Sequence, residues 1–121
     1  MIRLLFLDDS KERHDRFKKW INSRAIAENI QFSPVYVYTA KDAIMALRYK
    51  KFDEIWLDHD LGPDEAGYDV ALYIETLYHE NNNTPLKSRI IIHSHNPVGA
   101  DRMMKALQGK VQAIVRKPFE A

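Results

Sequence analysis

Ile2-Arg3-Leu4-Leu5-Phe6-Leu7-Asp8-Asp9-Ser10 is the stretch that decides the fold. Its apolar run is nearly continuous rather than alternating, the pattern of a parallel strand covered on both faces. Two carboxylates follow at once, and then a serine suited to capping a helix in which Phe17, Trp20 and Ile21 share a face. Working outward, four more short apolar runs appear: Val35–Tyr38, Glu54–Leu57, Arg89–Ile92 and Ala113–Val115. Segments of helical period separate them. Thr39 with Asp42 reads as a capping box ahead of Ile44 and Leu47. Tyr68–Tyr78 spaces Val70, Ile74 and Leu77 along one stripe, and Asn96-Pro97 starts a helix running from Val98 to Leu107. The order βαβαβαβαβ predicts an α/β domain with a doubly wound parallel sheet. After the fifth strand only Phe119-Glu120-Ala121 remains, so the closing helix is expected to be missing or truncated.

Composition narrows the function classes. With 121 residues, 45% of them hydrophobic, the chain suits a single domain, 1–121, around one core. The net charge is +1, and the light basic clusters at Lys18-Lys19, Arg48–Lys51 and Arg116-Lys117 have acids beside most of them. That reads as a solvated surface, not a nucleic-acid footprint. Cysteine is absent, which excludes disulfides, thiolate zinc sites and a cysteine nucleophile. The first residues are charged too soon for a signal peptide, and no apolar run has membrane-spanning length. A soluble, cytoplasmic protein is expected.

Strands in such a sheet end on one edge, where ligands bind. The residues there are Asp8 and Asp9; Asp58, His59 and Asp60; His93, Ser94, His95 and Asn96; and Arg116, Lys117 and Pro118. Carboxylates gathered at one edge repel each other unless a hard cation or a nearby lysine neutralises them.

Asp8-Asp9, Asp58, Ser94 and the run Lys117-Pro118-Phe119 resemble, in order and spacing, the response-regulator receiver domain. The resemblance implies a flavodoxin-like (CheY-like) three-layer sandwich with five parallel strands in the order 2-1-3-4-5. It implies Asp58 as phosphoacceptor, Asp8 and Asp9 as ligands of Mg²⁺, and Ser94 and Lys117 as contacts of the phosphoryl group. Asp60 joins the candidate metal ligands, and Mn²⁺ is admitted beside Mg²⁺. An aspartate nucleophile forming an acyl phosphate, with a cation and a lysine neutralising the transferring group, is coherent chemistry.

The sequence departs from that family in four places. Leu57-Asp58-His59-Asp60-Leu61-Gly62 lacks the usual apolar stretch and proline, and His93-Ser94-His95-Asn96-Pro97 brackets the hydroxyl with imidazoles. Ile114 stands where receivers carry a switch aromatic, and the final helix is missing. The first string, with His93-Ser94-His95-Asn96-Pro97-Val98-Gly99 and Asp8-Asp9, is similar to a variant group, the cyclic-phosphate-processing receiver domains. That resemblance brings His59 and His93 into the site, with His95 less firmly placed. The alternative function is then a metal-dependent phosphoesterase acting on cyclic phosphates or related esters, with two histidines serving as acid and base. A further reading has the His and Asp residues jointly binding Mn²⁺, Fe²⁺ or Zn²⁺. The phosphoacceptor reading is preferred because every member of its set is present. The partner is a phosphodonor or a phosphate-bearing small molecule.

Two expectations remain. His14 and His79 read as helix-surface residues. Without a closing helix, apolar side chains of Ile2–Leu7 and Ala113–Val115 would lie bare on one face, to be covered by the tail, by an irregular Ala25–Pro34 segment, or, as favoured, by a second copy in a homodimer.

Overall fold

Leu4, Leu5, Phe6 and Leu7 are fully buried, which a strand achieves only when both faces of its sheet are covered. A computed structural model, which describes residues 1–61 and 67–118, shows how. The elements run β1 (Ile2–Leu7), α1 (Lys11–Glu28), β2 (Phe32–Val37), α2 (Ala40–Tyr49), β3 (Glu54–Leu57), α3 (Tyr68–Glu80), β4 (Leu86–Ile92), α4 (Pro97–Leu107) and β5 (Val111–Arg116). The five strands are all parallel, in the order β2-β1-β3-β4-β5. Among the described residues no helix follows β5, as expected, and none is long and apolar enough to cross a membrane. Gly62 and the tail Phe119-Glu120-Ala121 lie outside the described residues.

Strand alternation divides the core in two. Leu5, Leu7, Ile55, Leu57, Ile90 and Ile92 face α2, α3 and α4, where Val70, Ile74, Met103 and Leu107 pack against them. On the other face Leu4, Phe6, Trp56 and Ile91 meet Phe17 and Ile21 of α1. The predicted caps are in place. Ser10 accepts a hydrogen bond from the Arg13 amide, Thr39 from Asp42 and Asn96 from Gly99, with Pro97 opening α4.

The Ala25–Pro34 segment is not irregular. Helix α1 continues to Glu28 and stops at Asn29, whose left-handed φ of 52° suits a helix terminus. Strand β2 already begins at Phe32 and includes Pro34, tolerated because β2 is an edge strand.

The bare face needs correction. The β1 side chains expected to be exposed are sealed, and the large exposed hydrophobic residues do not include Ile2–Leu7 or Ala113–Val115. An aromatic ridge replaces the missing cover: Trp56 meets Phe17 at 5.1 Å and Trp20 at 5.3 Å between ring centres, and Val115 packs beside them. Arg24 lies over the Trp20 ring while its guanidinium grips the buried Glu54 carboxylate at 3.0 and 2.9 Å. The Trp56 indole N–H donates to that carboxylate as well, so the burial is matched by hydrogen bonds. This face needs no second copy to cover it.

Candidate functional site

β1 and β3 pair with Leu7 opposite Leu57, so the residue after each strand arrives at the same level of the sheet edge. Asp8 and Asp58 therefore sit side by side, both buried, and the Asp58 amide donates to the Leu7 carbonyl at 3.2 Å. With the more exposed Asp9 they form a group whose carboxylate oxygens lie within 4.8 Å of one another. Burial, and then the charge of Asp8, push the Asp58 carboxyl up to about 6, while Arg13 and the His59 amide oppose the shift. Three hard oxygen donors at this spacing suit Mg²⁺ or another hard divalent ion.

The cation that the structure itself brings there is Arg13, in the first turn of α1. Its Nε donates to Asp8 Oδ2 at 2.7 Å, and its Nη2 lies 3.2 Å from Asp9 Oδ1 and 3.6 Å from Asp58 Oδ2. Asp8, foremost, strengthens the hold of this guanidinium on its proton. Sequence reasoning missed Arg13. Its position four residues after Asp9, across a Ser10 cap, was the available clue.

Asp60 is not part of the carboxylate group. Its Oδ1 accepts from His59 Nδ1 at 2.7 Å and from the Asn96 side-chain amide at 3.2 Å, and these two partners hold it below the usual carboxylate range. A carboxylate only accepts, so His59 carries a proton on Nδ1. The His59 ring rests on Gly99 at the start of α4, where an added Cβ would fall 2.4 Å from the ring. Gly67 is equally constrained. A Cβ there would lie 1.8 Å from the Asp58 carbonyl oxygen, so only glycine lets α3 begin this close to the site.

His93 and Ser94 follow the end of β4, and both are buried. The His93 ring is sealed inside, stacked on Phe6 at 4.9 Å, with Nε2 donating to the Leu7 carbonyl at 2.8 Å. Burial brings its pKa down to about 4, so the ring is neutral at physiological pH. Its other nitrogen lies 3.7 Å from Asp8 Oδ2. Ser94 is also buried, its hydroxyl accepting from the Asn96 amide at 3.1 Å. His95 is exposed. Lys117 sends its Nζ not to the carboxylates but over the Trp20 ring, 5.9 Å from the centroid.

His14 corrects the sequence reading, whereas His79 is on the surface as expected. The His14 side chain is wholly buried, stacked on Tyr38 at 4.0 Å, and its Nε2 donates to the Asp8 carbonyl at 2.8 Å. An orphan carbonyl just past a strand end demands a donor, and α1 supplies one.

Comparison with known proteins agrees with this architecture. The sequence model for the cyclic-phosphate processing receiver domain matches residues 3–109. No curated protein matches the chain in sequence. Among solved structures, the response regulator TrrA of Thermotoga maritima, in complex with Mg²⁺ and BeF, is 18% identical, with 99% of this chain and 90% of that one covered at a TM-score of 0.69. The receiver domain of a Pseudomonas aeruginosa sensor histidine kinase, with magnesium in its active-site cleft, is 19% identical over 98% of this chain and 87% of that one, at a TM-score of 0.68. A CheY-like receiver domain from Methylobacillus flagellatus is 19% identical over 99% and 89%, at 0.64. These likenesses establish the fold.

Proposed function

The chain belongs to the cyclic-phosphate processing receiver domain family, and on that premise we propose that it is a receiver module that accepts a phosphoryl group on Asp58 in a signalling or regulatory role. One observation carries the reading: a buried carboxylate, raised to about 6 and flanked within 4.8 Å by two more carboxylates at the carboxyl edge of the sheet. Above that pH Asp58 is ionised yet poorly solvated, which favours its attack on phosphorus over remaining a bare buried charge. Asp8, Asp9 and Asp58 would hold a Mg²⁺ ion, and Mn²⁺ shares the same preference for oxygen donors. A bound cation would neutralise charge on the transferring phosphoryl group. That fold neighbours carry magnesium at their active-site cleft or together with BeF supports this assignment. Ser94, beside the Asn96-capped start of α4, would offer its hydroxyl to the phosphoryl group.

The phosphoesterase reading is not favoured. It asks two histidines to exchange protons with a substrate, but His93 is neutral, sealed and committed to the Leu7 carbonyl. The experiment is incubation with acetyl phosphate and Mg²⁺, followed by intact-mass analysis. One added phosphoryl group, absent in Asp58→Asn, is the expected result. A wild type that gains none, or an Asp58→Asn protein that still gains one, refutes the proposal.

A further inference from the structure

Arg13 stands where helix physics disfavours a cation. It occupies the first turn of α1, whose free amides give that end a partial positive charge that favours an acidic residue over a basic one. The three carboxylates repay that cost, and the manner in which they do so is specific. Nε is anchored on Asp8 Oδ2 at 2.7 Å, and Asp8 is itself immobilised because its Oδ1 accepts from the Ser10 amide at 2.8 Å. The guanidinium plane is thereby fixed along one edge. Nη2, which shares that edge with Nε, donates to Asp9 Oδ1 at 3.2 Å and lies 3.6 Å from Asp58 Oδ2. The longer separation is not a direct hydrogen bond, so Nη2 donates to Asp9 and stands beside Asp58 Oδ2 without bonding it. A phosphoryl group carried on Asp58 Oδ2 would bring its oxygens within reach of the same fork. Meanwhile Lys117 is engaged with the Trp20 ring, 5.9 Å from its centre, a placement that a cation–π contact rewards.

Resting on the receiver reading above, we infer that Arg13, and not Lys117, is the catalytic cation that binds the phosphoryl oxygens during transfer to Asp58. In that step a lone pair of Asp58 Oδ2 forms the new O–P bond. The P–O bond to the leaving group of the acyl phosphate breaks, and its electron pair departs on the carboxylate released. No proton need move, since Asp58 enters ionised. Arg13 exchanges its Asp9 contact for phosphoryl oxygens, meeting the growing charge with planar, paired donors that a lysine cannot offer.

The test compares wild type, Arg13→Gln, Arg13→Lys and Lys117→Ala in two measurements: the rate of phosphorylation by acetyl phosphate, and Mg²⁺ affinity by calorimetry without any phosphodonor. Circular dichroism and thermal unfolding verify that each variant is folded. Loss of a positioned donor to a transition-state oxyanion typically slows a reaction about 10²–10³-fold, and Arg13→Gln should fall in that range. Arg13→Lys should recover part of the rate. Mg²⁺ should bind Arg13→Gln at least as tightly as wild type, because a competing cation has left the carboxylates. Lys117→Ala should stay near the wild-type rate. Arg13→Gln at the wild-type rate, a parallel loss of Mg²⁺ affinity, or a Lys117→Ala defect as deep as that of Arg13→Gln overturns the assignment of Arg13 alone. A wild type that takes no phosphoryl group overturns the receiver reading, and this inference with it.

Discussion

Removing the charge of Asp58 should make the protein more stable, with a size set by the site's electrostatics. Asp58 rises from an ordinary 3.8 to about 6 in the folded chain, driven first by burial and then by Asp8. A tenfold change in proton affinity is worth about 1.4 kcal/mol, so the ionised carboxylate destabilises the fold by about 3 kcal/mol at pH 8. Because the folded state binds this proton more tightly than the unfolded chain, the penalty is complete above pH 6. It fades as the pH falls towards 4. The amide oxygen introduced by Asp58→Asn can still accept from the His59 amide, as the carboxylate does at 2.9 Å, so the substitution removes the charge without orphaning that donor. For a domain of this length the gain corresponds to roughly 10 °C in melting temperature. Thermal and urea unfolding of both proteins, without divalent ions, at pH 8 and at pH 4, provide the assay. A variant no more stable than wild type at pH 8, or one equally stabilised at both values, would refute the reasoning.

Two other expectations follow from particular contacts. In Gly67→Ala the new Cβ would strike the Asp58 carbonyl, which is backbone and cannot yield, so the first turn of α3 must separate from the end of β3. A cost of about 1–3 kcal/mol is expected together with weakened Mg²⁺ binding, read by unfolding and calorimetry, and wild-type metal affinity in this variant would contradict the tight approach. His93 works in the opposite sense to Asp58. With its pKa brought from 6.5 to about 4, its contribution to stability is intact above pH 6.5 and is lost as the pH falls towards 4. His93→Gln keeps a donor for the Leu7 carbonyl and removes the titration, so its pH–stability curve should be flatter across that interval. Equal slopes for variant and wild type would exclude a buried neutral imidazole.

How legible each feature was in the sequence depends on what burial does to residue choice. β1 and β3 were readable because strands covered on both faces must be apolar at every position, and four successive buried residues in each satisfy that. β2 is an edge strand, half covered, so Phe32-Ser33-Pro34 carries no such signature and its start was missed. The carboxylates were readable for the converse reason: charges directly after apolar runs can only stand at the sheet edge. Arg13 and His14 were not. Lys11-Glu12-Arg13-His14-Asp15-Arg16 is uniformly polar, and which of these residues faces the sheet depends on how α1 rolls about its axis. That roll is set further along, by Phe17 and Ile21 entering the core.

The same roll explains why three histidines near one acidic edge do not make a set of reagents. With Phe17 stacked on Phe6 at 4.0 Å, α1 delivers His14 one turn earlier to Phe6 as well, where its ring meets that phenyl edge-on at 5.0 Å. His93 lies against Phe6 from β4. The two imidazoles then donate to consecutive carbonyls, Asp8 from His14 and Leu7 from His93, at the point where β1 ends. The Leu7 carbonyl also accepts from the Asp58 amide, but the Asp8 carbonyl without His14 would cost about 1–3 kcal/mol and would let the Asp8 backbone shift. Holding them fixes the carboxylate that anchors Arg13. His59 belongs to a different arrangement, outside the core, where Asp60 and Asn96 orient its exposed edge above Gly99. Burial thus sets His14 and His93 apart as two struts beneath Asp8, while His59 stands beside Asp58 outside the core.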